Sequence, residues 1–381
     1  MCGKSVPTRG FRGAALLVAI TGFIALRVTA APVDGPYVLR GADGQLAAWT
    51  LEWTHDSVAK HGQPLVPGAK FAVPAVGSLP AFQVTLRMPA DNAPDSVPLA
   101  VSVPLFVVAD THGEYEILVD MLRAHRVVNA RLGWGFGRGR LVVLGDVFDR
   151  GANQLEILWL LYELEAQARK AGGGVQLVLG NHELMVMRGD LRYMNPKYAK
   201  TAAALGVPSY SLLFDAGSVL GQWLRTRPAM LKVNDMLFLH GGISSALVER
   251  KLSLVEINDG VRAALNDRPP FSPAERARVE FLIGSDGPLW YRGYFAERGN
   301  AATATMADVD ASLAYFGVRR ILVGHTIVPT ITRLYDGKVI AVQVYPGHDD
   351  AGREHFEALS IRNGKLMRAL PDGSTQPLTT P

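Results

Sequence analysis

Five short runs of apolar residues stand out after position 100: Leu105-Phe-Val-Val, Leu141-Val-Val-Leu, Val175-Gln-Leu-Val-Leu, Met236-Leu-Phe-Leu and Ile321-Leu-Val. Each is short and rich in branched residues, which predicts buried strands. The first three alternate with helical patterns over Glu116–Val127 and Leu155–Lys170. Strands alternating with helices predict an α/β layered architecture. Residues 184–235 and 245–315 read as mostly helical and irregular, inserted around one face. The chain then returns to β. Ile331 to Tyr335 and Lys338 to Val344 flank Asp336-Gly337, and Ala358 to Arg362 and Lys365 to Met367 flank Asn363-Gly364. Both dipeptides are strong hairpin turns.

Before position 100 the pattern differs. Tyr37 to Arg40, a Gly-Ala-Asp-Gly turn and Leu46 to Leu51 predict a β-hairpin, Phe82 to Arg87 a further strand, and Met88 to Pro98 a linker. This part carries no catalytic pattern and reads as a β-rich extension packed on the main domain. The expected organisation is a leader over 1–30, the β-rich extension over 31–100 and one catalytic domain over 101–381.

Residues 1–30 read as a secretory signal. Lys4, Arg9 and Arg12 precede an apolar run of 13 residues, Ala14 to Leu26, and Val28-Thr29-Ala30 offers small residues for cleavage. The run is shorter than the ~20 residues a spanning helix needs; an uncleaved anchor is the alternative. No other stretch is long and apolar enough to span, so no stable membrane span is expected after cleavage. The expected location is secreted or periplasmic. Cys2 is the one cysteine and lies in the leader, so the remaining chain has no disulfide and no thiolate metal site.

Composition adds two exclusions. Hydrophobic residues at 48% against 19% charged argue for a sizeable core rather than disorder. The net charge of +4 belongs to the leader: 39 Lys and Arg less the four in residues 1–30 leave 35, equal to the 35 Asp and Glu. No basic footprint for nucleic acid remains.

Each of the five predicted strands is followed at once by metal-binding residue types. The segments are Asp110-Thr-His112-Gly, Gly145-Asp146-Val-Phe-Asp149-Arg150-Gly, Gly180-Asn181-His182-Glu183, His240-Gly-Gly and Gly324-His325. Ligand sites of open α/β sheets lie outside the carboxyl ends of the strands, so Asp110, His112, Asp146, Asn181, His240 and His325 are expected in one crevice. Oxygen and imidazole donors without thiolate suit manganese, iron or zinc. Six ligands exceed the need of one ion. A shared carboxylate would place two ions ~3.5–4 Å apart, the spacing of in-line phosphoryl displacement, and Asp146 is the natural bridge.

The order of these five motifs resembles the calcineurin-like metallophosphoesterases. The Gly145–Gly151 and Gly180–Glu183 motifs are similar to the phosphoprotein phosphatase superfamily. Gly180-Asn-His-Glu-Leu-Met, Gly189-Asp-Leu-Arg-Tyr and Gly287-Pro-Leu-Trp-Tyr-Arg292 resemble the Shewanella-like protein phosphatases. The resemblance covers about residues 101–345. It implies a four-layer αββα sandwich and two divalent or trivalent ions, with manganese foremost and iron and zinc as alternatives. Asp110, His112 and Asp146 would hold one ion, and Asp146, Asn181, His240 and His325 the other, with a hydroxide bridging the ions as nucleophile. His182 would protonate the leaving oxygen, Asp149 would orient that imidazole, and Arg150 and Arg292 would bind the phosphate.

The implied enzyme is a phosphomonoesterase acting on a phosphorylated protein, at Ser/Thr or Tyr, or on a small phosphoester. A hydrolase of symmetrical dinucleoside polyphosphates and a catalytically silent phosphate-binding scaffold are the alternatives. The intact ligand set speaks against the second. Three departures stand out. Ala109 replaces a frequent glycine, and Ala341-Val-Gln-Val-Tyr-Pro lacks an expected Asp-x-Gly. Ile327 stands where many diesterases and nucleases carry a second histidine, which favours monoesters. His125 is expected at the surface, and His348 and His355 in a loop over 346–354 that lines either the cleft mouth or solvent.

Overall fold

A computed structural model describes residues 1–3, 33–88, 91–266, 272–296, 302–348, 352 and 354–378. Apart from residues 1–3, the predicted leader lies outside the described residues.

The N-terminal region is β-rich. Strands β1 (Val33–Arg40), β2 (Leu46–Trp53) and β3 (Val58–Leu65) form an antiparallel sheet, and β4 (Lys70–Val73) pairs with β5 (Phe82–Thr85). The β1–β2 pair is the hairpin expected from the sequence. This region packs on the main fold through Trp159, whose indole N–H donates to Pro36 O at 2.8 Å and whose ring meets Phe71 edge-on. The predicted linker supplies β6 (Ser96–Val97), which becomes an edge strand of a main sheet.

The main fold follows the five predicted strands. β7 (Leu105–Val108), α1 (Tyr115–Ala124), β8 (Arg140–Val143), α2 (Gln154–Lys170) and β9 (Gly174–Leu177) form one βαβαβ run with parallel strands. Then come α3 (Asn181–Met187), α4 (Pro196–Leu205), a 3-10 turn Tyr210–Phe214 and α5 (Val219–Arg225). β10 (Met230–Val233) and β11 (Met236–Leu239) follow, so a strand sits inside a stretch expected to be helical and irregular. α6 (Ser245–Glu249), α7 (Leu254–Leu265), α8 (Pro273–Leu282) and α9 (Met306–Phe316) lead to β12 (Arg320–Val323). β13 (Thr332–Leu334) and β14 (Val339–Ala341) form the hairpin about Asp336-Gly337. β14 stops at Ala341, three residues short of expectation. Short β15 (Gly347–His348) pairs with β16 (Glu354–His355), and β17 (Ala358–Arg362), β18 (Lys365–Ala369) and β19 (Thr375–Pro377) end the chain.

Two six-stranded sheets result, in the orders β19-β18-β17-β7-β8-β9 and β13-β14-β12-β11-β10-β6. The central strands are buried on both faces, and their side chains sort by parity because successive residues point to opposite faces. Leu105, Val107, Val142, Phe238 and Leu322 fill a core between the sheets. Phe106, Val108, Leu141, Val143, Leu237 and Ile321 join the core beneath the helices. The architecture is the expected αββα sandwich, and the carboxyl ends of β7, β8, β9, β11 and β12 meet along one edge of it.

Candidate active site

Three of the strands that end on this edge, β7, β8 and β12, turn sharply there. Asp110, His112, Asp146, Asp149, Arg150 and His325 all have left-handed backbone, with φ between +41° and +70°. Such conformations are costly for side chains other than glycine and gather where the surroundings over-determine them. The loops after β8 and β9 also touch closely. A Cβ on Gly145 would lie 2.4 Å from Gly180 N, and one on Gly180 2.2 Å from an Asp146 carboxylate oxygen. Glycine at both positions is therefore a steric requirement.

Glu183 locks this contact. Its carboxylate accepts N–H groups from Asp146 at 2.8 Å, Val147 at 2.8 Å, Phe148 at 3.3 Å and Gly180 at 2.7 Å. It closes a capping box at the start of α3 and fixes the neighbouring loop at the same time. On this frame Asp146 takes the His182 N–H at 3.0 Å on one oxygen. Its other oxygen lies 3.2 Å from His240 Nε2 and 3.8 Å from both His112 Nε2 and His182 Nε2.

Two imidazoles have their orientation set from behind. His112 Nδ1–H donates to Phe148 O at 2.9 Å, and His240 Nδ1–H donates to Leu144 O at 2.6 Å. Both then turn Nε2 toward Asp146, the arrangement that backbone carbonyls impose on metal-binding histidines. Asn181 Oδ1 and His325 Nδ1 stand 2.8 Å and 3.1 Å from His240 Nε2. Asp110 accepts the His325 N–H and lies 3.9 Å from His240.

The six sequence-predicted ligands thus share one buried cluster. Two groups of side chains within it have metal-binding spacing: His112, Asp146 and His182, and Asp146, His240 and His325. Asp146 is common to both. Buried His112 Nε2 and His325 Nε2 have no hydrogen-bond partner, and orphaned buried polar atoms are costly. Burial pushes Asp110 up to about 8, His112 down to about 4 and His325 down to about 2. Burial opposes the charge on His240 as well, but the charges of Asp146 and Asp110 outweigh it and raise that imidazole to about 9. A negative field, unpartnered imidazole nitrogens and a nitrogen-oxygen donor set all fit divalent cations.

His182 is bound differently. Its Nδ1 meets Asp149 Oδ2 at 2.6 Å, which leaves Nε2 facing Asp146 and the cleft. Burial works against its imidazolium, yet the bond to Asp149 and the charges of Asp146 and Asp149 prevail, so its pKa is raised.

The cleft has a volume of about 360 Å³. Asp110, His112, Asp146, His182 and His325 lie along it together with Arg150, Arg292 and Ile327. Arg292 donates to Thr326 Oγ1 at 3.4 Å. The structure therefore brings both sequence-predicted arginines to one cavity.

Sequence reasoning overlooked several neighbours. Tyr193, half exposed, packs on His182 at 5.4 Å, and Tyr345 lies under the Arg150 guanidinium at 5.4 Å. Gln343 lines the cavity with its buried Oε1 unpartnered. Their signals were present but mute: Tyr193 ends the Gly189-Asp-Leu-Arg-Tyr segment, and Gln343 and Tyr345 occupy the stretch that lacks Asp-x-Gly. His125 is not a plain surface residue; it is half-buried, stacks near Phe106 and hydrogen-bonds Leu370 O at 2.8 Å. His348 and His355 are exposed on the β15–β16 pair and do not line the cleft among the described residues.

Imidazoles and carboxylates gathered at the ends of facing sheets, with two arginines lining the same cavity, define a metallophosphatase, a hydrolase of phosphoesters. The chain belongs to the calcineurin-like phosphoesterase family, whose model matches residues 103–329. It is similar to the crystal structure of a cold-active protein-tyrosine phosphatase from a psychrophilic Shewanella species. That likeness is 34% identity over 91% of this chain and 100% of the other, with a TM-score of 0.77. It is also 25% identical over 283 residues to Shewanella-like protein phosphatase 2 of Arabidopsis thaliana, covering 63% of this chain and 70% of the relative. A third relative is the symmetrical bis(5'-nucleosyl)-tetraphosphatase of Shewanella loihica, 32% identical over 142 residues, or 36% of this chain and 44% of the relative.

The Glu183 frame generates a prediction. Glu183→Ala strips buried N–H groups of their acceptor, at about 1–3 kcal/mol for each donor left unpaired. Chemical denaturation should show that loss, and metal titration a roughly 10- to 100-fold weaker affinity. Unchanged metal affinity would show that the frame does not set the cluster.

Proposed function

We propose that this metallophosphatase hydrolyses phosphomonoesters on proteins, with phosphotyrosine foremost and phosphoserine and phosphothreonine alongside it. The observation that carries the reading is the His182–Asp149 pair at 2.6 Å, set beside Asp146 in a cavity that Arg150 and Arg292 also line. Asp110, His112 and Asp146 would hold one cation, and Asp146, Asn181, His240 and His325 a second, with manganese the preferred ion and iron and zinc the alternatives. When bound, the two ions supply Lewis-acid charge stabilisation and a nucleophile at neutral pH.

The chain's own residues divide the remaining work. Arg150 and Arg292 bind non-bridging phosphate oxygens, for which the planar guanidinium is suited. Asp149 holds His182 by Nδ1 and favours its imidazolium. His182 Nε2 then carries a proton for the leaving oxygen. The raised pKa extends the pH range over which this acid is protonated, and the form is lost as pH rises through it. Ile327, 57% exposed along the cleft, and Tyr193, half exposed against His182, offer apolar surface to an aryl group. The Shewanella neighbour's description as a protein-tyrosine phosphatase supports the same substrate class. The partial likeness to a symmetrical tetraphosphatase keeps dinucleoside tetraphosphate as the second reading.

We also place the enzyme outside the cytoplasm, secreted or periplasmic. The basic and apolar leader and the lack of cysteine beyond Cys2 support this. No helix among the described residues is long and apolar enough to cross a membrane.

Three outcomes test these readings. The purified protein should lose activity on chelation and regain it best with manganese, and should cleave phosphotyrosine peptides in preference to diadenosine tetraphosphate; the reverse preference would favour the second reading. His182→Asn should cut turnover of a phosphoserine peptide by roughly 10²–10⁴-fold, with far less effect on p-nitrophenyl phosphate, whose leaving group needs no proton. Mass spectrometry of protein from its host should find an N-terminus near Ala31, whereas an intact Met1 in the membrane fraction would support the anchor.

A further inference from the structure

Asp149 and Arg150 are adjacent residues, both with left-handed backbone, at φ +70° and +66°. Conformations of this kind are costly for residues other than glycine and persist only when neighbours enforce them. The restraint comes from outside the metal cluster. Asp149 N–H donates to Gln154 Oε1 at 2.7 Å, and Gln154 Nε2 donates to Tyr210 OH at 2.6 Å. Gln154 is fully buried, so both bonds are sheltered from water.

The far side of this bridge reaches the N-terminal extension. Tyr210 stacks on Tyr198 with ring centroids 4.5 Å apart, and Tyr37 of β1, buried like both of them, lies beside Tyr210. Tyr198 OH donates to Ala152 O at 2.7 Å and accepts the Gln154 N–H at 3.2 Å. Lys197 Nζ lies 3.0 Å from Asp34 of β1 and donates to Ala152 O at 2.9 Å. Arg150 is held from the same side, its N–H donating to Tyr193 O at 3.0 Å and its own O accepting Asn195 Nδ2–H at 2.8 Å. One sheltered network thus runs from β1 through α4 and the 3-10 turn to the loop that carries the His182 partner.

We propose that Gln154 is a positioning residue for catalysis: bonded to Asp149 on one side and to the Tyr210–Tyr198–Tyr37 cluster on the other, it ties the N-terminal extension to the geometry of the acid pair. The extension, which carries no catalytic side chain, then contributes to turnover by holding Asp149 rigid. Gln154 is buried behind the cleft and does not line it, and Asp149 Oδ2 must stay on His182 Nδ1 for the imidazole to keep its tautomer and direction. This inference rests on the reading of His182 as the general acid.

The test compares leaving groups. Gln154→Leu keeps the side chain's bulk and removes both hydrogen bonds. At temperatures where the variant is folded, kcat on a phosphoserine peptide should fall about 10- to 100-fold, the range seen when a residue orienting a functional group is lost. KM, metal content and kcat on p-nitrophenyl phosphate should change by less than about threefold, because an activated aryl leaving group does not need the acid. Tyr210→Phe keeps the ring in the core and removes only the hydroxyl that holds Gln154; it should show the same selective pattern with a smaller loss. Equal losses on both substrates, or no loss in either variant, would overturn the proposal. His182→Asn run in parallel separates the two levels. If it shows no leaving-group dependence, the acid reading falls and the inference with it. If it shows that dependence and Gln154→Leu does not, the inference alone falls.

Discussion

Backbone N–H groups of Asp146, Val147, Phe148 and Gly180 converge on the Glu183 carboxylate. A carboxylate buried in protein needs such donors, because an unpaired buried charge costs several kcal/mol. Once they are supplied, the loops after β8 and β9 have a single relative placement. Asp146 then faces His240, His112 and His182 together, and Asn181 leaves α3 toward one side while His182 leaves it toward another. The glycines at 145 and 180 permit the approach, but the carboxylate makes it favourable.

The same frame concentrates charge where solvent cannot reach. Asp110, Asp146, Asp149 and Glu183 are all at most 2% exposed. Imidazoles are the nearest compensating groups, and the arginines stand at the rim. In such a setting burial, helped by like charges nearby, drives Asp110 upward and His112 downward. The protein has folded an electrostatic cost into its centre that bound cations would relieve. Local rules yield to function here, as the left-handed aspartates and histidines also show.

Strands β7, β8, β9, β11 and β12 were legible because they are short, largely buried apolar runs followed immediately by polar residues of one chemical type. Both signals survive without knowledge of the partner strand. β3 was not legible: Val58 to Gln63 carries no apolar alternation, and it is held as an edge by backbone bonds to β2. β6 has two residues and exists only because Lys232 and Val233 of β10 accept it as a neighbour. The metal-type residues were found because each lies in a compact local motif. Tyr345 was missed because its partners His112 and Arg150 lie far along the chain, and Gln154 and Tyr193 because nothing in the local sequence shows that a side chain five or eleven residues away turns back onto the loop. Glu183 was seen as a letter of its motif, while its service to a loop 36 residues earlier was invisible.

Strand β7 carries Asp110 and His112 at its end, yet it sits between β8 and β17. Its partner on that side, residues 358–362, is made about 250 residues later. During synthesis the emerging chain therefore holds ligand residues long before the strand that seats them is flanked. Closing so distant a pair is slow relative to local folding. The strand that leads into Asp110 and His112 is therefore flanked on both sides only once residues 358–362 have docked beside it.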